Sequence, residues 1–369
     1  MDKILFLSDH SYLDAPIKGG VQLCTAEYLS LLRQTQYEII IHPIRSTRSY
    51  WNRLLIKLGF DVFHHYDYLQ DTRIINQLID RQDIGLLALN QINLLPFVPL
   101  IKKDHPNIKT IVLSHGNESG DFLHEVVQLR SNPIKNLIRQ LRLGRLLVAE
   151  SEYFRKDVDL MLSLSQEEGN INQWMGIRNN FFVPRVFNPH PLNWEPEYGL
   201  LGFVGTLNHL PNLQGIRQLC VELAKNRTKL RIELVGNGAE QGKALEKEFP
   251  FVSYLGALND GDLDNVARRW AFFLNPVFYL SRGASTKLAT GINWGIPIVS
   301  TPFGNRGYHW KKGGIVTCKN VKELADFVER TGFESEALHT IREDVLEVAQ
   351  SGVSIVNLAH QLKDRLREL

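Results

Sequence analysis

The stretch Arg282-Gly-Ala-Ser-Thr-Lys-Leu-Ala-Thr-Gly-Ile-Asn-Trp-Gly-Ile-Pro-Ile-Val-Ser-Thr-Pro-Phe-Gly304 decides the fold of this chain. It reads as a small, hydroxyl-rich loop, a helix with a lysine in its first turn, a glycine stop and a buried strand. A helix start presents unpaired backbone N–H groups and the positive end of the helix dipole, which suits a phosphate. Gly295 ends the helix, and Ile296 to Ser300 returns to a sheet, with Pro297 tolerable at the strand's beginning. This is the layout of an anion site at the carboxyl edge of an open α/β sheet.

The same alternation of strand and helix runs along most of the chain and predicts parallel sheets with helices on both faces. Strands are expected at Ile4 to Ser8, Glu38 to Ile41, Ile84 to Leu89, Thr110 to Ser114 and Asp159 to Leu164. Val21, Cys24, Tyr28, Leu31 and Leu32 form one apolar stripe at helical spacing. The scheme restarts with strands at Leu200 to Val204, Arg231 to Val235, Val252 to Leu255, Ala271 to Leu274 and Ile296 to Ser300. A chain of 369 residues is too long for one ordinary core. The expected fold class is α/β, with two Rossmann-like, doubly wound domains, residues 1–190 and 191–369, facing each other across a cleft. Phe187 to Pro196, rich in proline and asparagine, reads as the linker. Glu343 to Leu369 reads as helical and able to pack back on the first domain.

Composition narrows the function. The 42 basic and 40 acidic residues nearly balance, which argues against a protein that coats a nucleic-acid duplex. Cys24, Cys220 and Cys318 stand alone, so neither a disulfide framework nor a zinc knuckle is expected. The apolar run Ile4 to Leu7 is too short for a signal peptide, and no run approaches the length of a membrane span. These features predict a cytoplasmic protein, with room for a peripheral contact at the inner membrane face.

The ordered motifs Gly19-Gly-Val-Gln22, Ser114-His115, Leu162-Ser-Leu-Ser165, Phe203-Val-Gly205, Pro211-Asn212, Leu234-Val-Gly-Asn-Gly238, Leu255-Gly256 and Lys287 followed by Gly295-Ile-Pro-Ile-Val-Ser-Thr301 resemble those of retaining glycosyltransferases of the GT-B fold, nearest to family 4. The resemblance implies an N-terminal domain for the acceptor and a C-terminal domain for a nucleotide-sugar. It implies a transfer of sugar to an acceptor hydroxyl with retention, on a glycan, a lipid-linked glycan or another acceptor. Donor-binding positions implied are Gly19, Gly20, Gly205, Thr206, His209, Gly283, Ala284, Ser285, Thr286, Lys287 and Thr290. Where the family commonly carries an arginine and a lysine on the diphosphate, this chain has Thr206 and Pro211; the form Gly205-Thr-Leu-Asn-His-Leu-Pro-Asn212 is similar to a subgroup without that pair. Arg282 and Thr290 stand in place of two family glutamates, and Lys287 matches a lysine found in a subset of the family. The nucleotide-sugar is a substrate, so no cofactor is expected.

His115 leaves the carboxyl end of a central strand, where ligand-facing residues gather. It can hydrogen-bond a sugar hydroxyl or answer developing charge, and the resemblance makes it a donor-sugar contact. Glu118 and Asp121 follow; either can orient an acceptor hydroxyl or take its proton, or else cap the next helix. Asp157-Val-Asp159 and Asp260-Gly-Asp262 match the pair that metal-dependent transferases use, but both fall at element boundaries, so a metal-independent reaction is expected. Two stretches mix basic and apolar residues: Arg45 to Phe60, with Arg45, Arg48, Arg53 and Lys57, and Lys135 to Val148, with Lys135, Arg139, Arg142 and Arg145. They fit either helices lying on anionic lipid or ordinary amphipathic helices. No helix-turn-helix or stacking platform for nucleic acid is visible. Two alternatives remain open: a GT-B binding partner or degenerate enzyme without transferase activity, and a nucleotide-sugar epimerase.

Overall fold

The computed structural model describes residues 3–14, 19–47, 49–58, 60, 63, 66–128, 132–279 and 283–369. Lys18, Arg48 and Arg282 lie outside the described residues, as does the side chain of Arg53. The chain divides into two compact units: Met1–Pro184 with Ser281–Gly283 and Ser354–Leu369, and Arg185–Leu280 with Ala284–Val353.

The first unit is built on a six-stranded sheet of β1 (Lys3–Asp9), β2 (Glu38–Ile44), β3 (Leu86–Asn90), β4 (Lys109–Leu113), β5 (Leu160–Ser163) and β6 (Asn180–Phe182). The order is β2-β1-β3-β4-β5-β6, and every neighbouring pair is parallel. Strands covered on both faces need no polar alternation, which is why Ile4 to Leu7 and Leu86 to Leu89 are continuous apolar runs, all buried. β2 runs on through Pro43, beyond the expected Ile41, because it is an edge strand and an edge residue without an N–H forfeits no ladder bond.

The second unit repeats the plan with β7 (Glu197–Val204), β8 (Arg231–Val235), β9 (Val252–Gly256), β10 (Trp270–Asn275), β11 (Ile298–Ser300) and β12 (Val316–Thr317), in the order β12-β11-β10-β7-β8-β9, again all parallel. Its core is aromatic around β10, where Trp270, Phe272 and Phe273 are fully buried. Gly295 ends the helix Thr286–Trp294 in the left-handed region, at φ 59°, as the glycine stop requires.

The stretch read as a linker belongs to the second unit. His190 and Leu192 donate backbone N–H groups to the carbonyls of Asn293 and Trp294, and the Trp194 indole donates to the Trp270 carbonyl at 2.8 Å. The C-terminal stretch is two helices rather than one. Ser335–Gln350 stays with the second unit, a break follows at Ser351 and Gly352, and Ile355–Arg367 lies against Gly20–Gln34 in the first, with Lys363 Nζ donating to Gln36 Oε1 at 2.5 Å.

Candidate functional site

In each sheet the chain goes first to one side of its opening strand and later returns to the other side. The crevices this makes lie at the carboxyl ends of β7 and β10 in the second unit and of β1 and β3 in the first. Open α/β sheets bind ligands at such switch points, and the sequence-predicted residues fall into two groups around them.

In the second unit, the loop after β7 carries Gly205, Thr206 and His209, and the loop after β10 leads to Ala284, Ser285, Thr286, Lys287 and Thr290. The helix Thr286–Trp294 begins without a side-chain cap: the Ser285 hydroxyl donates to Asn275 Oδ1 at 3.2 Å instead. Tyr308 clamps this start. Its hydroxyl donates to the Ser285 carbonyl and accepts from Ala289 N–H at 3.0 Å, while its ring stacks on Phe187. Lys287 bridges the crevice. Its Nζ donates to Asn212 Oδ1 at 2.6 Å and sits 5.4 Å from the centre of the Phe203 ring. Asn212 is held in turn by donating Nδ2 to the Thr206 carbonyl at 2.9 Å. Burial pushes the Lys287 ammonium down from 10.5 to about 7, and repulsion from Arg306 adds to the shift. Arg306 and Arg185 are both buried in this unit, and Arg185 donates to the Ala284 carbonyl at 3.3 Å. A cation held in its weakly basic state beside a second cation and an uncapped helix start is an arrangement that an anion would relieve.

Not every predicted donor contact lies in this group. Thr290 directs its hydroxyl to the carbonyl of Thr286, one turn back on its own helix. His209 precedes the helix Leu210–Lys225 and its side chain caps nothing. Gly283 belongs to the first unit: its N–H donates to the buried Glu168 Oε1 at 2.6 Å. A Cβ on Gly283 would sit 2.8 Å from the His115 carbonyl oxygen, so a glycine is required for this approach.

In the first unit, His115 lies just past β4 and is buried, with Nε2 2.7 Å from Asn90 Oδ1. Asn90, the last residue of β3, donates Nδ2 to Ser8 Oγ and Thr25 Oγ1, both at 2.9 Å. That leaves its oxygen to accept, so His115 Nε2 carries a hydrogen and donates it. Tyr28 fixes the strand end by donating to the Ser114 carbonyl at 2.6 Å, and its ring lies 5.8 Å from that of His115. Gly19 precedes the helix that opens with Gly20, and a Cβ on Gly19 would meet no atom of a described residue within 4 Å. Glu118 starts the helix Glu118–Gln128 and faces a cavity of about 260 Å³ that lies wholly in this unit.

The two Asp-x-Asp pairs serve the fold. Asp159 Oδ2 accepts from Thr110 N–H at 2.8 Å and lies 3.7 Å from Lys102 Nζ, while Asp260 and Asp262 form the first turn of a helix capped by Asn259. Among the described residues, no group of three or more histidine, cysteine or acidic side chains is gathered as a metal site would need. The three cysteines are buried and form no disulfide, and no described helix is long and apolar enough to cross a membrane.

Sequence reasoning missed Asn212 as a side chain, Arg185, Arg306 and Asn90. The Pro211-Asn212 helix start marks only the first of them, and the others carry no local signal.

Residues 199–331 match the family model described as Glycosyl transferases group 1. No curated protein matches the chain by sequence. Solved structures similar in fold include sucrose-phosphate synthase from Thermosynechococcus elongatus, with TM-score 0.73 and 15% identity over 100% of this chain and 99% of that one. HepE from Anabaena, in complex with UDP and glucose, aligns with TM-score 0.65 and 14% identity over 100% of both chains. The lipopolysaccharide outer core galactosyltransferase WaaB aligns with TM-score 0.63 and 12% identity over 99% of both. Residues 199–331 of the second unit are thus similar to the group 1 glycosyltransferase model, and the chain as a whole shares the two-sheet α/β fold of these glycosyltransferase structures.

Proposed function

We propose that this protein transfers a sugar from a nucleotide-sugar to an acceptor hydroxyl, with retention and without a metal. The observation that carries this reading is the Lys287–Asn212 contact at the switch point of the group 1 domain, beside an uncapped helix start. When the bond from the anomeric carbon to the diphosphate breaks, the leaving group takes the electron pair. Lys287, Arg306 and the first N–H groups of the helix would stabilise that charge by preorganised electrostatics. Retention requires the acceptor oxygen to attack from the face the diphosphate leaves, and Glu118 or a departing phosphate oxygen would take its proton. His115, its Nε2 tied to Asn90, would offer Nδ1 to a donor-sugar hydroxyl. Uridine diphosphate is the first nucleotide to test, since HepE is crystallised with it. A thermal-shift screen of nucleoside diphosphates and their sugars tests the donor site: a ligand at about a hundred times its Kd adds roughly 2.7 kcal/mol. No shift with any of them would remove the donor reading.

A peripheral membrane contact is supported by a separate observation. Ile134, Leu137, Leu141 and Val148 are all exposed on the helix Pro133–Lys156, which also carries the exposed Lys135 and Arg145. Their spacing of three, four and seven residues puts them on one side of the helix. Apolar residues flanked by cations suit an anionic lipid surface. Flotation with neutral and with anionic vesicles tests it; failure to float with either would leave the helix an ordinary surface element.

A further inference from the structure

A regular α-helix starting after Ser285 would close its first turn with the Ala289 N–H on the Ser285 carbonyl. In this chain a side chain stands in that bond. The Ala289 N–H donates to the Tyr308 hydroxyl at 3.0 Å, and the hydroxyl donates to the Ser285 carbonyl. The same carbonyl accepts from the Leu288 N–H, one residue early, at 3.2 Å. The tyrosine oxygen is therefore wedged into the ladder of the first turn, and a group inserted there bends a helix. The bend falls at the N–H groups of Thr286 and Lys287, which have no hydrogen-bond partner among the described residues. They are the free donors of the uncapped start, and their aim depends on where Tyr308 is held.

Tyr308 is held both by its ring and by its loop. The ring stacks on Phe187, with centroids 5.9 Å apart and planes 11° from parallel. Phe187 lies in turn on the backbone of Gly352: a Cβ there would stand 2.2 Å from the Phe187 ring, so glycine is required for this contact. The loop is stitched to the same place. Trp310 forms an antiparallel bridge with Gly352. The Lys312 N–H donates to the Ser351 hydroxyl at 3.0 Å, and that hydroxyl donates to the Lys312 carbonyl at 2.9 Å. All of these residues belong to the second unit. Phe187 follows the point at which the chain enters that unit, after Pro184, and Ser351 and Gly352 precede the point at which it leaves, at Ser354.

We infer that Tyr308 is a positioning residue for the anion-facing helix start: its hydroxyl sets the aim of the Thr286 and Lys287 N–H groups, and Phe187 and Gly352 set the hydroxyl. The inference rests on the transferase reading above, which puts a diphosphate at that start. It separates stability from binding. Without the hydroxyl, the Ala289 N–H can close directly on the Ser285 carbonyl, so the helix gains a regular first turn while its free donors lose their aim.

Calorimetric titration of the full chain with UDP, GDP and ADP, beside melting curves, tests it. Tyr308→Phe should melt close to the parent and bind the preferred nucleotide about tenfold more weakly, the order of one hydrogen bond to a charged group. Its amide NMR shifts should move at Thr286 to Ala289. Gly352→Ala, on the far side of Phe187, should weaken the nucleotide in the parent and hardly at all in Tyr308→Phe, because both changes act through one hydroxyl. Phe187→Leu takes its place should Gly352→Ala not fold. A Tyr308→Phe protein that binds as tightly as the parent, or melts far below it, would overturn the wedge and leave the transferase reading standing. Additive losses in the double variant would overturn the seat on Phe187 and Gly352. A parent that binds none of the three nucleotides would count against the transferase reading, and unmoved amides at Thr286 to Ala289 would then sink the wedge on their own.

Discussion

Replacing Lys287 with methionine keeps an unbranched side chain and removes the ammonium that sits 5.4 Å from the centre of the Phe203 ring. If Lys287 holds the donor diphosphate, the variant loses a hydrogen bond to a charged group, about 1.5–3 kcal/mol, or roughly 10- to 150-fold in affinity. The structure adds a pH signature. The free protein holds the ammonium at about 7, so it is half neutral at that pH. A diphosphate needs the protonated form, and the competent fraction falls about tenfold per pH unit above that point. A nucleotide-sugar, whose phosphates do not titrate near neutrality, should thus bind the parent about 30-fold more weakly at pH 8.5 than at pH 6. The variant should show a flat profile. Isothermal titration of both proteins with UDP-glucose at these two pH values measures it.

Stability should move the opposite way. The folded pKa lies below the ordinary 10.5, so the unfolded chain binds more protons between about pH 7 and 10.5, and stability rises with pH through that window. The buried ammonium costs most below pH 7, where Lys287→Met should melt higher than the parent, and the gap should close toward pH 10. Equal affinities with the same pH slope in both proteins would refute the assignment of Lys287 to the donor site.

Glu150 is fully buried, and burial pushes it up from 4.5 to about 8, outweighing the nearby Ser119, which favours the charged form. Between those values the native state holds a proton that the unfolded chain has lost, so stability falls as pH rises; Glu150→Gln should melt close to the parent at pH 5 and clearly above it at pH 8.5, and parallel curves would count against a buried neutral carboxyl. A Cβ at Gly215 would lie 1.7 Å from the Pro276 carbonyl oxygen, so Gly215→Ala should lower stability by roughly 1–3 kcal/mol, read by urea denaturation; an unchanged midpoint would mean that this helix does not pack against the loop after β10. Transfer should proceed at the same rate in EDTA, because one carboxylate of each Asp-x-Asp pair, Asp159 and Asp262, is engaged by Thr110 and Lys102 or by Asn259; loss of activity restored by manganese would contradict a metal-free reaction.

The strand cores were legible because parallel strands buried on both faces are continuous apolar runs, and Arg231–Val235 matches its expected limits residue for residue. The two strands that sequence reasoning missed, Asn180–Phe182 and Val316–Thr317, are three and two residues long and lie at sheet edges, with no run long enough to show a pattern. Glu150 was hidden for a different reason. It sits in a helix whose many cations suggest a solvated surface, and only packing reveals that its position is fully buried.

The candidate site shows where a linear reading stops. Lys287 and His115 were legible because each lies past the end of a strand and at or just before the start of a helix, a local pattern. Their partners depend on strand order. Asn212 reaches Lys287 across 75 residues because the sheet places β10 beside β7, so the helices that follow the two strands start side by side. Asn90 orients His115 because β3 lies between β1 and β4, which puts Ser8, Asn90 and His115 at three adjacent strand ends. Gln91 is hidden more deeply still, since a positive φ in a residue with a side chain leaves no mark in the sequence. The residues that touch Lys287 and His115 are thus ones whose positions only the crossovers determine. A sequence of this class names the ends of its strands before it names what meets there.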